Sequence, residues 1–288
     1  MISKVIIKNL FATILFMIVA LPVVCLAKPT CPKNIISLTL ASDEILVDII
    51  SDRKKIAALT YLSTDPGISN VVEKARGIPQ VQANLEQIIS KSPDLVIVAD
   101  HTNPNIRAHL EAAGIKVLLL HEIVSLESIK KNIELIGVGV CEETAAENLV
   151  KEMETQIANA RAKIPPHIKT PTVLFYGAPG FTVGKRSTIN DIIESSGAIN
   201  LPARLGLSRY SNISIEYVIQ NNPDLVLTSN YNPSHPDFVG QMFKNPAFRD
   251  KKIIVVAGKH LDAASHYTAQ AVVDLVNLIF RAENNADR

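Results

Sequence analysis

Residues 142–164 read EETAAENLVKEMETQIANARAKI, and this stretch decides how the rest of the chain is arranged. It consists mainly of the residues that lose least on entering a helix, with no Gly or Pro before Pro165 and Pro166. Ala145, Leu149, Met153, Ile157, Ala160 and Ile164 recur at steps of three or four, which lays one apolar stripe along a helix. At 1.5 Å per residue that helix would run roughly 35 Å, the width of a small domain. It reads as a rod joining two lobes.

The flanks of the rod carry an internal repeat. Leu85–Asp100 is LEQIISKSPDLVIVAD and Ile215–Asn230 is IEYVIQNNPDLVLTSN, so that Glu86 matches Glu216, Ile89 matches Ile219 and PDLV matches PDLV. Each copy predicts a short amphipathic helix stopped at Pro93 or Pro223, then an apolar run suited to a buried parallel strand. The separation is far too long for a solenoid. Two lobes of similar construction account for it.

Working outward, Asn34–Leu40, Lys55–Thr60, Leu95–Ala99 and Ile115–Leu120 predict strands, alternating with helices from Ser42 or Asp43 to Ile50, Asn105 to Ala113 and Ser125 to Val138. Beyond the rod, strands are expected at Thr172–Tyr176, in the second repeat and at Lys252–Val256. Helices are expected at Ser187–Ser196 and Tyr267–Phe280. Gln80–Asn84, Asn200–Asn212, Asn232–Pro236 and Ala257–Ser265 read as loops. The fold class is α/β: two doubly wound lobes with mostly parallel sheets, joined by one long helix. The boundaries are 34–140 for the N-terminal lobe, 141–164 for the linker helix and 171–281 for the C-terminal lobe. In such sheets ligands sit outside the carboxyl ends of the strands, so two facing lobes place those loops around one cleft.

At the N-terminus, Lys4 and Lys8 precede an uncharged apolar run, Leu10–Ala27, which ends in small residues before Lys28. Residues 1–27 read as a secretory signal peptide, an uncleaved anchor being the alternative. Its removal takes the formal charge from +1 to −1 and leaves no basic field to hold nucleic acid. Of three cysteines, Cys31 and Cys141 would survive, either paired in an oxidising compartment or as separate thiols.

Enzyme signatures are weak. Gly180–Arg186, GFTVGKR, resembles a phosphate loop, but its glycines are too close and Arg186 stands where Ser or Thr would hold magnesium. No G-x-S-x-G, H-E-x-x-H or C-x-x-C occurs. The chain therefore reads as no enzyme, with no catalytic residues, no resident metal and no cofactor needed for folding. Two alternatives stand beside this: a metal-dependent hydrolase using His101, His260 and Asp262, and a free zinc or manganese binder with converging His, Asp and Glu ligands.

Taken together, Ile36-Ser37-Leu38 with Ser42-Asp43-Glu44, Asn84-Leu85-Glu86 with Pro93-Asp94-Leu95-Val96, Phe181–Lys185 and Ser214-Ile215-Glu216 resemble the periplasmic binding proteins of ABC importers for iron complexes and vitamin B12. The resemblance spans roughly Asn34–Phe280. It implies a monomeric periplasmic protein that carries a small-molecule metal chelate or corrinoid to an ABC permease in the inner membrane. It implies that Glu86 and Glu216 dock on permease arginines, and that Tyr61, Gln80, Ala99, Phe181, Tyr210 and the His260–Ala263 stretch, with Asp262, line the cleft.

The ligand stays open. Tyr61, Phe181 and Tyr210 suit stacking on a flat macrocycle or catechol. His101, His260 and His266 fall in expected cleft loops, where imidazole or a tyrosine phenolate suits haem iron. Lys185, Arg204 and Arg209 suit an anionic siderophore. His109, His121, His167 and His235 are assigned to structure or solvent. The chain has no Trp, whereas B12 binders of this kind use several, so haem and siderophore stand beside corrinoid. A stiff rod between the lobes predicts a small closure on binding.

Overall fold

The computed structural model describes residues 30–231 and 237–280; the expected signal peptide and the Asn232–Pro236 loop lie outside the described residues. The N-terminal lobe contains β1 (Ile35–Ser37), α1 (Leu40–Ile49), β2 (Ile56–Thr60), β3 (Gln80–Val81), α2 (Leu85–Ile89), β4 (Leu95–Val98), α3 (Pro104–Ala112), β5 (Lys116–Leu119) and α4 (Leu126–Val140). The rod is α5 (Glu143–Arg161). Beyond it come β6 (Thr172–Phe175), β7 (Phe181–Val183), α6 (Thr188–Ser195), β8 (Ile199–Asn200), α7 (Leu201–Arg204), β9 (Tyr210–Asn212), α8 (Ile215–Asn221), β10 (Leu225–Ser229), α9 (Phe238–Lys244), β11 (Lys252–Val256), α10 (Gly258–Leu261) and α11 (Thr268–Phe280).

The two sheets are built to one plan. The first runs β3-β2-β1-β4-β5 and the second β11-β10-β6-β8, all pairs parallel. Matching β1 with β6, β2 with β8, β4 with β10 and β5 with β11 superposes the two orders, with β3 as an addition to the first. Both PDLV words therefore open a central strand, β4 or β10, whose residues are buried on both faces save Ser229 at the end. Apolar clusters lie on either face of each sheet, which makes both lobes doubly wound.

The repeat also explains its own letters. Asp94 accepts from the backbone N–H groups of Lys33 (2.8 Å) and Asn34 (3.0 Å), and Asp224 accepts from Thr172 N (2.8 Å) and Oγ1 (2.7 Å). In each lobe this Asp ties down the chain as it enters the neighbouring strand. The residue before each repeat proline, Ser92 or Asn222, takes the left-handed conformation (φ 47° and 43°), in which the chain turns out of the helix toward the strand.

The rod is shorter than expected, ending at Arg161 with Ala162 as its cap, and it is no free strut. Ala146, Leu149, Val150 and Met153 belong to the core of the first lobe, Ala160 to that of the second, and Ile157 packs on both. One helix is thus common to two cores.

Cys31 and Cys141 are joined, with Cα atoms 5.7 Å apart at a separation of 110 positions in sequence. Cys141 sits in the left-handed position that ends α4. The bond closes nearly the whole first lobe into one loop.

Three local expectations differ. Thr39, rather than Ser42 or Asp43, caps α1: its side chain accepts from Ser42 N (3.1 Å), which leaves Ser42 and Asp43 buried inside the first turn. Gln80–Val81 pairs with β2 as an edge strand, and Asn200–Asn212 is ordered as β8, α7 and β9. Both gain their structure from partners distant in sequence, which local composition does not encode.

Candidate functional site

The carboxyl ends of the strands bring one set of loops together between the lobes. Ala99, Asp100 and His101 follow β4, and His121, Glu122 and Ile123 follow β5. With Thr188, Tyr210, Asp262, Ala263 and Ala264 from the second lobe they line a cavity of about 410 Å³. A second chamber of about 150 Å³ adjoins it through Asp262 and is walled by Phe175, Phe181, Ser229, Tyr231 and Phe238.

Aromatic rings dominate one wall. β7 and β9 form a two-stranded antiparallel sheet that registers Phe181 with Asn212 and Val183 with Tyr210. This sets Phe181 and Tyr210 in a stack, centroids 5.4 Å apart and planes 23° from parallel. Phe181 also meets Phe175 edge-on at 6.1 Å. Tyr210 is 58% exposed, and among the described residues Phe181 is the one ring that stacks on it.

On the first lobe, Tyr61 opens the tight turn after β2 and is 55% exposed. Gln80 Nε2 donates to Thr64 Oγ1 (3.2 Å), and Thr64 Oγ1 donates to the carbonyl of Tyr61 (2.9 Å), so Gln80 braces the turn that carries Tyr61. Across the lobes Tyr231 donates to Asp65 Oδ2 (3.3 Å). Its phenol is pushed above the ordinary range by desolvation and then by the Asp65 carboxylate, with Tyr61 a further electrostatic neighbour.

Asp262 stands between the two chambers. Desolvation by the walls raises its carboxyl to about 6, against the hydrogen bond from Ser229 Oγ (3.1 Å).

Two expected histidines are turned elsewhere. His260 Nδ1 lies 2.6 Å from Asp274 Oδ2 on α11, and His266 Nε2 lies 3.0 Å from Asp48 Oδ2 on α1. His266 belongs to a polar seam where α1 meets the segment before α11. There Asp48 also receives Tyr267 OH (2.8 Å) and Lys74, and these bonds outweigh desolvation to hold its carboxyl at about 2. Glu44 accepts from Asn70 and Ser265, and Asn70 Nδ2 donates to Lys259 O (2.6 Å). Asp43, fully buried against Thr60, is raised to about 7 by desolvation.

Of the residues expected at the site, Tyr210 and Asp262 line the large cavity together with Ala99, Ala263 and His101, and Phe181 and Asp262 line the adjoining chamber. Lys185 and Arg204 lie outside both linings, and Arg209 reaches Glu122 across the cleft. The trio His101, His260 and Asp262 is not assembled, and among the described residues no three His, Cys, Asp or Glu side chains converge as metal ligands. His121, assigned from sequence to structure or solvent, lines the cavity beside Glu122. The signal for both was their place directly after a parallel strand.

Glu86 and Glu216 lie away from the cleft, exposed in the first turns of α2 and α8. Their helices are capped alike, by Asn84 Oδ1 and Ser214 Oγ. A hydrogen bond from Ser214 lowers the Glu216 carboxyl below its ordinary value.

Residues 35–253 match the family described as periplasmic binding protein. An uncharacterized ABC transporter substrate-binding lipoprotein of Bacillus subtilis is 27% identical over 207 residues, 69% of this chain and 64% of that protein. A cobalamin-binding protein of Halobacterium salinarum is 25% identical over 202 residues, 68% of this chain and 54% of that protein. The chain thus spans between half and two thirds of the length of these relatives. In fold it is similar to the apo form of a periplasmic haem-binding protein from Roseiflexus, with TM-score 0.74 and 24% identity, over 87% of this chain and 98% of that one. Two parallel α/β lobes on a shared helix, a cleft at the strand ends and the match over most of the sequence make this chain an extracytoplasmic binding protein, a member of the periplasmic binding protein family.

Proposed function

We propose that this chain is the substrate-binding component of an ABC importer, which captures a flat iron chelate, haem or a corrinoid between its lobes and delivers it to an inner-membrane permease. The observation that carries the reading is the Phe181–Tyr210 stack, whose exposed ring, Tyr210, lines an inter-lobe cavity of about 410 Å³ while Phe181 lines the chamber beside it, a size and lining suited to a ring ligand. Tyr61, Gln80 and Asp262 complete the binding set in this reading. His260 serves it indirectly, by anchoring the Gly258–Leu261 turn to Asp274.

The lobes are 34–140 and 171–281, with 141–164 as their link, and the protein works as a periplasmic monomer released from its signal peptide. Because both cores include the rod, closure over the ligand is small. Glu86 and Glu216, in matched first turns, form a two-point clamp for permease arginines, where carboxylate–guanidinium pairing sets register as well as affinity.

Native mass spectrometry of the protein incubated with equimolar haemin, a ferric siderophore and cyanocobalamin tests the reading. Retention of one copy of one of these supports it. Retention of none, or of stoichiometric zinc instead, contradicts it.

A further inference from the structure

The cleft contains a carboxylate site that the protein fills itself. Gly184 N donates to Arg209 O and Arg186 N to Ser208 O, each at 2.8 Å, which extends the β7–β9 pairing and brings Arg186 and Arg209 to one end of this two-stranded sheet. Glu122 reaches them from the other lobe. Arg209 Nη2 lies 2.9 and 3.2 Å from its two carboxylate oxygens, and Arg186 Nη2 lies 3.9 Å from Oε2. Glu122 and Tyr210 line the same cavity, so the pair stands at the edge of the space that Tyr210 faces.

Three features separate this contact from an ordinary surface ion pair. Two guanidinium groups face one carboxylate, which leaves one positive charge uncompensated. The titratable residues lining the cavity are Asp100, His101, His121, Glu122, Tyr210 and Asp262, with no Lys or Arg among them, so Arg186 and Arg209, which meet the cavity through Glu122, are the cations at its edge. All three partners are about half exposed, at 48, 48 and 59% of the side chain, so exchanging one carboxylate for another involves little desolvation.

We infer that Glu122 stands in for a carboxylate of the ligand: a ring bearing an acidic side arm displaces it, takes Arg186 and Arg209 in its place and releases this edge of the cleft. Glu122 is then a built-in competitor that selects for carboxylate-bearing ligands. The inference rests on the reading of the cleft as the ligand site.

Two probes test it. Haemin and haemin dimethyl ester share the ring and differ in two carboxylates. Haemin is expected to bind about tenfold more tightly than the ester, the order of one charge-assisted hydrogen bond. E122Q is expected to tighten haemin several-fold without changing the ester, and R186Q/R209Q to lower haemin to the level of the ester. Equal binding of the two porphyrins, or an E122Q effect common to both, overturns the inference and leaves Glu122 as a latch between lobes. Citrate supplies carboxylates without a ring, and it is expected to raise the melting temperature of E122Q but not of E122Q/R186Q/R209Q. Equal shifts in those two variants overturn the clamp whether or not any porphyrin binds. If citrate discriminates while neither porphyrin binds, the clamp stands and the ring reading fails.

Discussion

Phe181 and Tyr210 stack at 5.4 Å across two antiparallel strands, and among the described residues only one of them is supported from behind. Phe181 rests on Phe175 and the core of the second lobe, whereas Tyr210 presents its free face to the cleft. The two substitutions therefore separate binding from stability. Tyr210→Ala is expected to weaken ring-ligand binding about tenfold, near the upper end of what an aromatic pair contributes beyond area, with little change in melting temperature. Phe181→Ala is expected to lower both. Calorimetric titration beside thermal unfolding reads the split, and equal loss of stability in the two variants would contradict it.

The Cys31–Cys141 bond spans 110 residues, and loop-closure estimates give such a cross-link about 4–5 kcal/mol. Reduction, or the C31S/C141S variant, is expected to lower the melting temperature by roughly 10 °C, at a few degrees per kcal/mol for a chain of this size. Scanning calorimetry with and without reductant checks this. An unchanged midpoint would mean that the first lobe is held by its core alone.

Asp43 and Asp48 give stability opposite slopes with pH. Asp48 is held at about 2, below its ordinary 3.8, so its contribution is complete above pH 4 and is lost as pH falls toward 2. Asp43 is raised from 3.8 to about 7, so the folded state binds its proton more tightly than the unfolded state, and stability from this site falls as pH rises from 4 to 7. Asp43→Asn is expected to stabilise the protein relative to wild type more at pH 7.5 than at pH 4.5, by on the order of 2 kcal/mol. Denaturant titrations at the two pH values measure it. A pH-independent difference would remove Asp43 as the source.

Glu86 and Glu216 occupy equivalent first turns on the two lobes, so their effects on docking should be similar and cumulative. Each Glu→Lys change is expected to reduce ligand uptake through the reconstituted importer, and the double change to abolish it, while ligand affinity in solution stays as in wild type. Loss of affinity in the double variant would place these residues in ligand binding instead.

The elements that could be read from sequence are those whose signal is local or repeated. The rod shows itself by composition and stripe, and the PDLV words mark central strands because a strand buried on both faces must be apolar throughout. The roles of Asp94 and Asp224 were hidden in the same words, since their partners, Asn34 and Thr172, lie 60 and 52 residues away. Tyr210–Asn212 has no strand pattern and becomes a strand only by pairing with Phe181–Val183. His260 lies in the short helix α10, where sequence implied a loop, and His266 in the segment before α11; carboxylates on α11 and α1 hold their rings, and neither lines the cavity. The cysteine pairing was open in sequence because spacing does not fix distance, and it is resolved by the end of α4.

The most direct test of the account is a titration of the protein with haemin, a ferric siderophore and cyanocobalamin, following tyrosine fluorescence and the visible spectrum of each ligand. The account predicts a saturable one-to-one signal with one of the three, quenching tyrosine emission and weakened in Tyr210→Ala. Silence with all three, or binding that Tyr210→Ala leaves unchanged, would contradict the assignment of the cleft as a ring-binding site.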